Sequence, residues 1–262
     1  MCLILLAWRV HPDYPLAVCA NRDEFYARPT AKAGFWPDRP GILAGRDLQA
    51  GGTWLGIDRR LRFAAVTNYR DPRAPEGQHS RGNLTRDYLA GNLSPRAFLE
   101  GLEPSAYGGF NLFLADRDNL CYYSNRQNRV EELPPGIYGL SNHLLETPWP
   151  KLVAAKHRFA EAVQRLPDTE PQFQLLADDT RWPDEHLPET GVSLEWERLL
   201  SAIFVKSPDY GTRASTVLTV GRNNHVSLRE RTFTRDGLAG ETRREFIGNP
   251  ASVDKKSAPP LP

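Results

Sequence analysis

A chain of 262 residues, 40% hydrophobic and 25% charged, is long enough to bury one sizeable core, and 33 basic against 32 acidic residues leave a formal net charge of +1. That balance gives no general reason to expect nucleic acid or an acidic membrane surface as a partner, and no nucleic-acid partner is expected. No apolar run approaches the ~20 residues that span a bilayer, and the opening run Cys2 to Trp8 is too short for a signal-peptide core, so a cytoplasmic protein without integral membrane association is expected.

The run Cys2 to Trp8 and the run Leu16 to Ala20 flank the turn residues His11-Pro12-Asp13-Tyr14-Pro15, which reads as a β-hairpin. Neither run alternates strictly, so both strands are expected to be covered on both faces. Further strands are expected at Gly41 to Gly45, Thr53 to Ile57, Arg62 to Thr67, Gly109 to Ala115, Leu120 to Ser124, Ile137 to Ser141, Ser215 to Val220, His225 to Phe233 and Arg243 to Ile247. Helices are expected at Asn83 to Ala90, Pro95 to Leu102 with Ser94 as N-cap, Trp149 to Leu166, Gln172 to Asp178 and Leu194 to Phe204. Runs of strands, then helices, then strands point to antiparallel sheets with helices layered outside, an α+β arrangement. A single domain is expected over 1–248, and the Pro-, Ser- and Lys-rich tail 249–262 is expected to be disordered.

Three cysteines with wide spacing give no Cys-x-x-Cys pair and no disulfide framework. Cys19 and Cys121 lie in apolar runs and read as small buried hydrophobes. Cys2 differs because removal of Met1 would leave a thiol and a free α-amine on one residue. The amine has an ordinary pKa of about 7.7–8.0 and the thiol one of about 8.5, so nucleophile and base can sit together; the alternative is a cysteine that merely begins a buried strand. Asn21-Arg22-Asp23-Glu24 follows the second strand, and antiparallel pairing would return it to the start of the chain. There a carboxylate can hold the amine and an arginine can orient an anionic group; the alternative is a solvated charged loop. Gly51-Gly52-Thr53-Trp54 lacks a phosphate-loop pattern and reads as a tight turn feeding a strand. Trp54, Phe35 and Trp36 suit a pocket wall or a core, and Tyr69-Arg70-Asp71-Pro72 reads as a strand exit into a Pro-rich loop. The six histidines, His79 and His143 among them, show no metal-ligand spacing.

The opening Met-Cys, Asn21-Arg22-Asp23-Glu24, the Ala50 to Gly56 segment Ala-Gly-Gly-Thr-Trp-Leu-Gly, Ala65-Val66-Thr67-Asn68-Tyr69-Arg70, Gly109-Phe110-Asn111-Leu112, Gly139-Leu140-Ser141-Asn142 and Tyr210-Gly211-Thr212-Arg213-Ala214-Ser215-Thr216 together resemble the NRDE family. It is also called the transport and Golgi organisation protein 2 family, and the match runs in order to about Ile247. This family is similar to the penicillin V acylase and choloylglycine hydrolase branch of the N-terminal-nucleophile hydrolases, which implies a four-layer αββα sandwich. The resemblance implies Cys2 as nucleophile, Asp23 and Asn142 as holders of its amine and Arg213 as a late arginine that stabilises the site. The oxyanion partner matches either Asp58 or Asn68. Arg22, Asn21, Asn68 and Trp54 are the implied substrate-binding residues.

Two readings follow. In the first, a cysteine-type N-terminal-nucleophile hydrolase or acyl transferase acts on a small amide or thioester, with no cofactor required and no metal. In the second, a non-catalytic protein on the same scaffold binds and traffics haem, as cargo, or a lipid or acyl thioester. The expected partner is a small acyl or haem-like ligand in either case, and the sequence leaves the oligomeric state open.

Overall fold

The structure is a computed structural model that describes residues 2–75 and 77–250. Its strands are β1 (Cys2–Trp8), β2 (Leu16–Phe25), β3 (Thr30–Trp36), β4 (Arg39–Asp47), β5 (Leu55–Asp58), β6 (Phe63–Asn68), β7 (Phe110–Ala115), β8 (Leu120–Ser124), β9 (Arg129–Glu132), β10 (Gly136–Leu140), β11 (Tyr210–Val220), β12 (His225–Thr234) and β13 (Gly237–Ile247). The helices are α1 (Gly82–Ala90), α2 (Pro95–Glu100), α3 (Pro150–Val163), α4 (Glu170–Leu176) and α5 (Leu194–Leu200). They form two compact units. None of the described helices is long and apolar enough to cross a membrane.

The first unit comprises the residues up to Arg28, Arg70–Arg73 and Pro135–Glu245. It is built on an antiparallel sheet of order β10-β1-β2-β11-β12-β13. The helical side of this sheet is assembled by alternation: Leu3, Leu5 and Ala7 of β1 and Ala17 and Cys19 of β2 join Leu152, Ala155, Phe159 and Val163 of α3 and Phe173 and Leu176 of α4 in one apolar cluster. All seven residues of β1 are buried, as expected of a strand covered on both faces. Cys19 lies wholly inside this core, and burial pushes its thiol far above the ordinary range.

The second unit comprises Pro29–Tyr69, Ala74–Pro134 and the residues from Phe246. Its sheet runs β3-β4-β5-β6-β7-β8-β9, each strand antiparallel to the next. Helices α1 and α2 cover it through Leu84, Tyr88, Leu89, Phe98 and Leu99, packed with Ile42, Ala64, Val66, Leu112 and Cys121. Ser94 caps α2 by accepting the Ala97 N–H at 3.3 Å. Each unit therefore contributes one sheet and one set of helices to an α+β fold. The tail expected to be disordered lies outside the described residues from position 251 onward; before it, the Asn249 N–H donates to the Arg59 carbonyl at 2.8 Å.

Candidate functional site

Strand register alone brings Cys2 and Asn142 together. Strand β10 pairs with β1 so that Leu140 lies opposite Ile4, and two further residues along the same antiparallel path place Asn142 beside Cys2. The Cys2 backbone nitrogen donates to Asn142 Oδ1 at 3.2 Å, and Ser141 Oγ donates to the Cys2 carbonyl at 3.2 Å. Asn142 in turn accepts the Arg70 backbone N–H on its own carbonyl at 2.7 Å. Both Asn142 and Ser141 are buried.

The other side of Cys2 is set by β2, which does not end at Ala20 but continues through Phe25. Cys2 lies opposite Arg22, and Asp23 follows. Strand β11 pairs with the far edge of β2, with Thr212 opposite Asp23 and Ala214 opposite Arg22, leaving Arg213 as the extra residue of a bulge. Thr212 Oγ1 accepts the Val205 N–H at 2.9 Å and so turns its own hydrogen toward Asp23 Oδ1, 2.7 Å away. Bulge and register together hold a buried carboxylate close to the start of β1.

Burial governs the electrostatics. It raises the Cys2 thiol and the neighbouring Asp23 charge raises it further, while Arg22 and the Asp23 backbone N–H favour the thiolate. Burial likewise raises the Asp23 carboxyl, opposed by Lys151, the Thr212 hydroxyl and Arg22. Lys151, at the start of α3, is wholly enclosed; burial and the Arg70 charge lower it to about 8, against the pull of Asp23, Cys2 and Glu197. Its Nζ donates to the carbonyls of Leu200 and Ala202 at 2.6 and 3.4 Å. The Tyr210 phenol is pushed well above its ordinary range by burial, then by Asp23 and Cys2.

The remaining residues singled out by sequence fall into distinct settings. Asn21 Nδ2 donates to the carbonyls of Leu176 and Ile203 at 2.8 and 2.9 Å, and its Oδ1 accepts Ser215 Oγ at 2.6 Å. These bonds tie β2 to the end of α4, to the segment after α5 and to β11. Arg22 Nη2 sits 3.5 Å from Glu24 Oε2. Arg213 Nη1 donates to the carbonyls of Phe25, Tyr26 and Arg28 at 2.9–3.1 Å and its Nε to Phe233 at 3.3 Å, so it ties down the turn after β2. In the second unit Trp54 is half-buried against the core, and Asn68 is exposed at the end of β6. Asp58, the other oxyanion match, accepts Arg60 N and Arg62 N at 2.8 and 3.0 Å on Oδ1 and Arg60 Nε at 2.8 Å on Oδ2. An acceptor locked in this turn offers no proton to an oxyanion. His143 Nδ1 lies 2.9 Å from Thr147 Oγ1, and His79 bridges to Tyr107. No cluster of three or more His, Cys, Asp or Glu able to hold a metal occurs among the described residues.

Sequence reasoning missed Lys151, Thr212, Arg70 and Glu197. Lys151 had a readable signal: with Ala155, Phe159 and Val163 it begins the four-residue stripe that α3 buries, and a lysine on such a stripe demands a partner. Arg70 and Thr212 lie inside motifs already recognised, but Arg70 reads there as part of a strand exit and Thr212 falls before the strand expected from Ser215, which begins at Tyr210 instead. Glu197, in the short helix α5, gave no signal of its own.

A family model described as "Transport and Golgi organisation 2" matches residues 1–235. The chain is 41% identical to a Transport and Golgi organization protein 2 homolog of Bos taurus, covering 89% of this chain and 93% of that one. It is 38% identical to the Homo sapiens homolog, covering 93% and 97%. Among solved structures it resembles a mutant conjugated bile acid hydrolase from Clostridium perfringens with a TM-score of 0.51 at 9% identity, over 95% of this chain and 98% of that one. That likeness is one of fold alone, and it agrees with the N-terminal-nucleophile-hydrolase-like fold that the sequence implied. The chain belongs to the transport and Golgi organisation 2 family, as its NRDE tetrapeptide and the order of its other motifs implied.

Proposed function

We propose that the chain, once Met1 is removed, uses Cys2 to cleave or transfer the acyl group of a small amide or thioester. The observation that carries this reading is the bond from the Cys2 nitrogen to Asn142 Oδ1, because after processing that nitrogen is the α-amine. An amine with an ordinary pKa of about 7.7–8.0 is partly neutral at physiological pH and accepts the thiol proton. The thiolate adds to the carbonyl carbon, and the protonated amine returns its proton to the departing nitrogen or sulfur. Water or an acceptor amine then attacks the Cys2 thioester and restores the thiol. Asn142 orients the amine, and Asp23, itself oriented by Thr212, stabilises its protonated form. Lys151 supplies a positive charge that favours both the thiolate and the Asp23 carboxylate. This chemistry needs no cofactor. The fold neighbour is a hydrolase whose title records a C2A mutation, which agrees with a second-position cysteine as the reacting group.

The test is turnover of short-chain acyl thioesters and amides by the processed protein. Cys2→Ala is expected to abolish turnover, and Asn142→Ala to lower kcat by about a hundredfold, the low end for a proton-transfer arrangement. Turnover unaffected by Cys2→Ala would refute the reading. The relatives' printed names, which speak of transport and Golgi organisation, favour a second one: a protein that binds and carries an acyl or haem-like ligand. That reading expects undiminished ligand binding in Cys2→Ala and no acylated Cys2.

A further inference from the structure

Arg70 follows β6 by two residues and is only 6% exposed. Its backbone N–H is bonded to Asn142, the residue that holds the Cys2 nitrogen. Three features fix its guanidinium. Nη1 donates to Glu197 Oε2 at 2.7 Å. The other Glu197 oxygen is occupied by the Thr190 backbone N–H and hydroxyl at 2.9 and 2.5 Å. The guanidinium carbon lies 4.8 Å from the Trp149 ring centre. The remaining two nitrogens, Nε and Nη2, are buried and have no hydrogen-bond partner among the described residues.

These two nitrogens form one edge of the guanidinium, the edge whose parallel N–H bonds match the two oxygens of a carboxylate. The same structure shows that fit twice. Arg198 places Nε and Nη2 at 2.7 and 2.6 Å from the two oxygens of Asp184, and Arg86 places them at 2.7 and 3.1 Å from those of Asp87. Arg62, the other buried arginine with an unpartnered Nε, differs because both its Nη nitrogens donate to carbonyls, of Gly91 and Tyr88. The arginines named by the sequence are less available: Arg213 is spent on backbone carbonyls and Arg22 lies beside Glu24. Arg70 also acts electrostatically on Lys151 and feels Asp23 and Tyr210, the groups that surround Cys2.

The geometry points to Arg70 as the receptor for a carboxylate of the substrate, held bidentately on Nε and Nη2 while Cys2 engages the acyl carbon. The inference rests on the Cys2 acyl-transfer reading and narrows its substrates to acyl compounds that carry a second, anionic carboxylate. Glu197 and Trp149 are positioning residues in this account, since they fix the guanidinium and leave one edge to the ligand. The edge is closed to solvent, so a carboxylate reaches it only as neighbouring side chains yield.

The test uses the processed full chain and two probes of the same chain length, hexanoate with its anionic pair of acceptor oxygens and the neutral hexanamide. Arginine Nε–H resonances are followed by nitrogen-edited NMR, with Arg70 assigned by the signal lost in Arg70→Lys. Protection of Cys2 from iodoacetamide is read by mass spectrometry on the same samples. Hexanoate is expected to shift the Arg70 signal and to protect Cys2 at a concentration about tenfold or more below that of hexanamide. In Arg70→Met/Glu197→Gln, which removes both charges of the buried pair together, the two probes should protect equally. An Arg70 signal unmoved by hexanoate, or equal protection by both probes in the unsubstituted chain, overturns the inference. If the signal shifts but Cys2 resists iodoacetamide even without a probe, the acyl-transfer reading falls and the carboxylate site stands.

Discussion

Lys151 gives the account its sharpest thermodynamic consequence. Its ammonium is enclosed among α3, Leu200 and Ala202, and its pKa falls from the ordinary 10.5 to about 8. At ~1.4 kcal/mol per tenfold, that fall corresponds to about 3 kcal/mol of destabilisation whenever the lysine is charged in both folded and unfolded chains. Below pH 8 the whole penalty is present. Between about pH 8 and 10.5 the folded chain releases the proton while the unfolded chain keeps it, so stability rises with pH and levels off above 10.5. Lys151→Met removes the charge but leaves the carbonyls of Leu200 and Ala202 without their donor, a cost of about 1–3 kcal/mol each. Near pH 7.5 the two changes therefore oppose each other. Urea unfolding of both chains, repeated from pH 7.5 to 11, should show the difference growing by about 3 kcal/mol in favour of the unsubstituted protein. Tyrosines and cysteines titrate in both chains and largely drop out of the difference. A difference that stays flat, or shrinks with rising pH, would refute the idea of a charged lysine held in a desolvated site.

Asn21→Ala removes two donated bonds and one accepted bond between β2 and its neighbours, and should cost about 2–4 kcal/mol in urea unfolding; a cost under about 1 kcal/mol would mean that water replaces them. Thr212→Val deletes the hydroxyl that holds the Asp23 carboxyl down. The acid limb of the Cys2 acylation rate should move to higher pH, and an unmoved limb would show that Asp23 does not govern the amine.

Much of this arrangement was legible because local signals agreed with the global pattern. The β1–β2 hairpin follows from two apolar runs around a Pro-Asp turn, and its register alone places Asn21-Arg22-Asp23 beside Cys2. What the hairpin could not show is that β2 persists through those polar residues, because Asn21 and Asp23 are satisfied by partners far along the chain, Ser215 and Thr212. Strands β3 and β9 were missed for a related reason. They are the two edges of the seven-stranded sheet, where a strand such as Arg-Val-Glu-Glu at Arg129–Glu132 buries little and needs no apolar pattern. Arg70 and Glu197 lie 127 positions apart, and no local spacing announces such a pair. The same holds for Lys151 and its two carbonyl partners, although a lysine on an apolar stripe is itself a sign that the stripe ends at something polar.

Cys2 acting through its own amine is the central claim, and trapping the acyl intermediate tests it most directly. The protein is mixed with an activated acyl thioester, quenched in acid within the first turnover and read by intact mass and peptide mapping. The account predicts a chain lacking Met1 with one acyl group on Cys2, and none on Cys19 or Cys121. A chain that retains Met1, or acylation that spares Cys2, would contradict it.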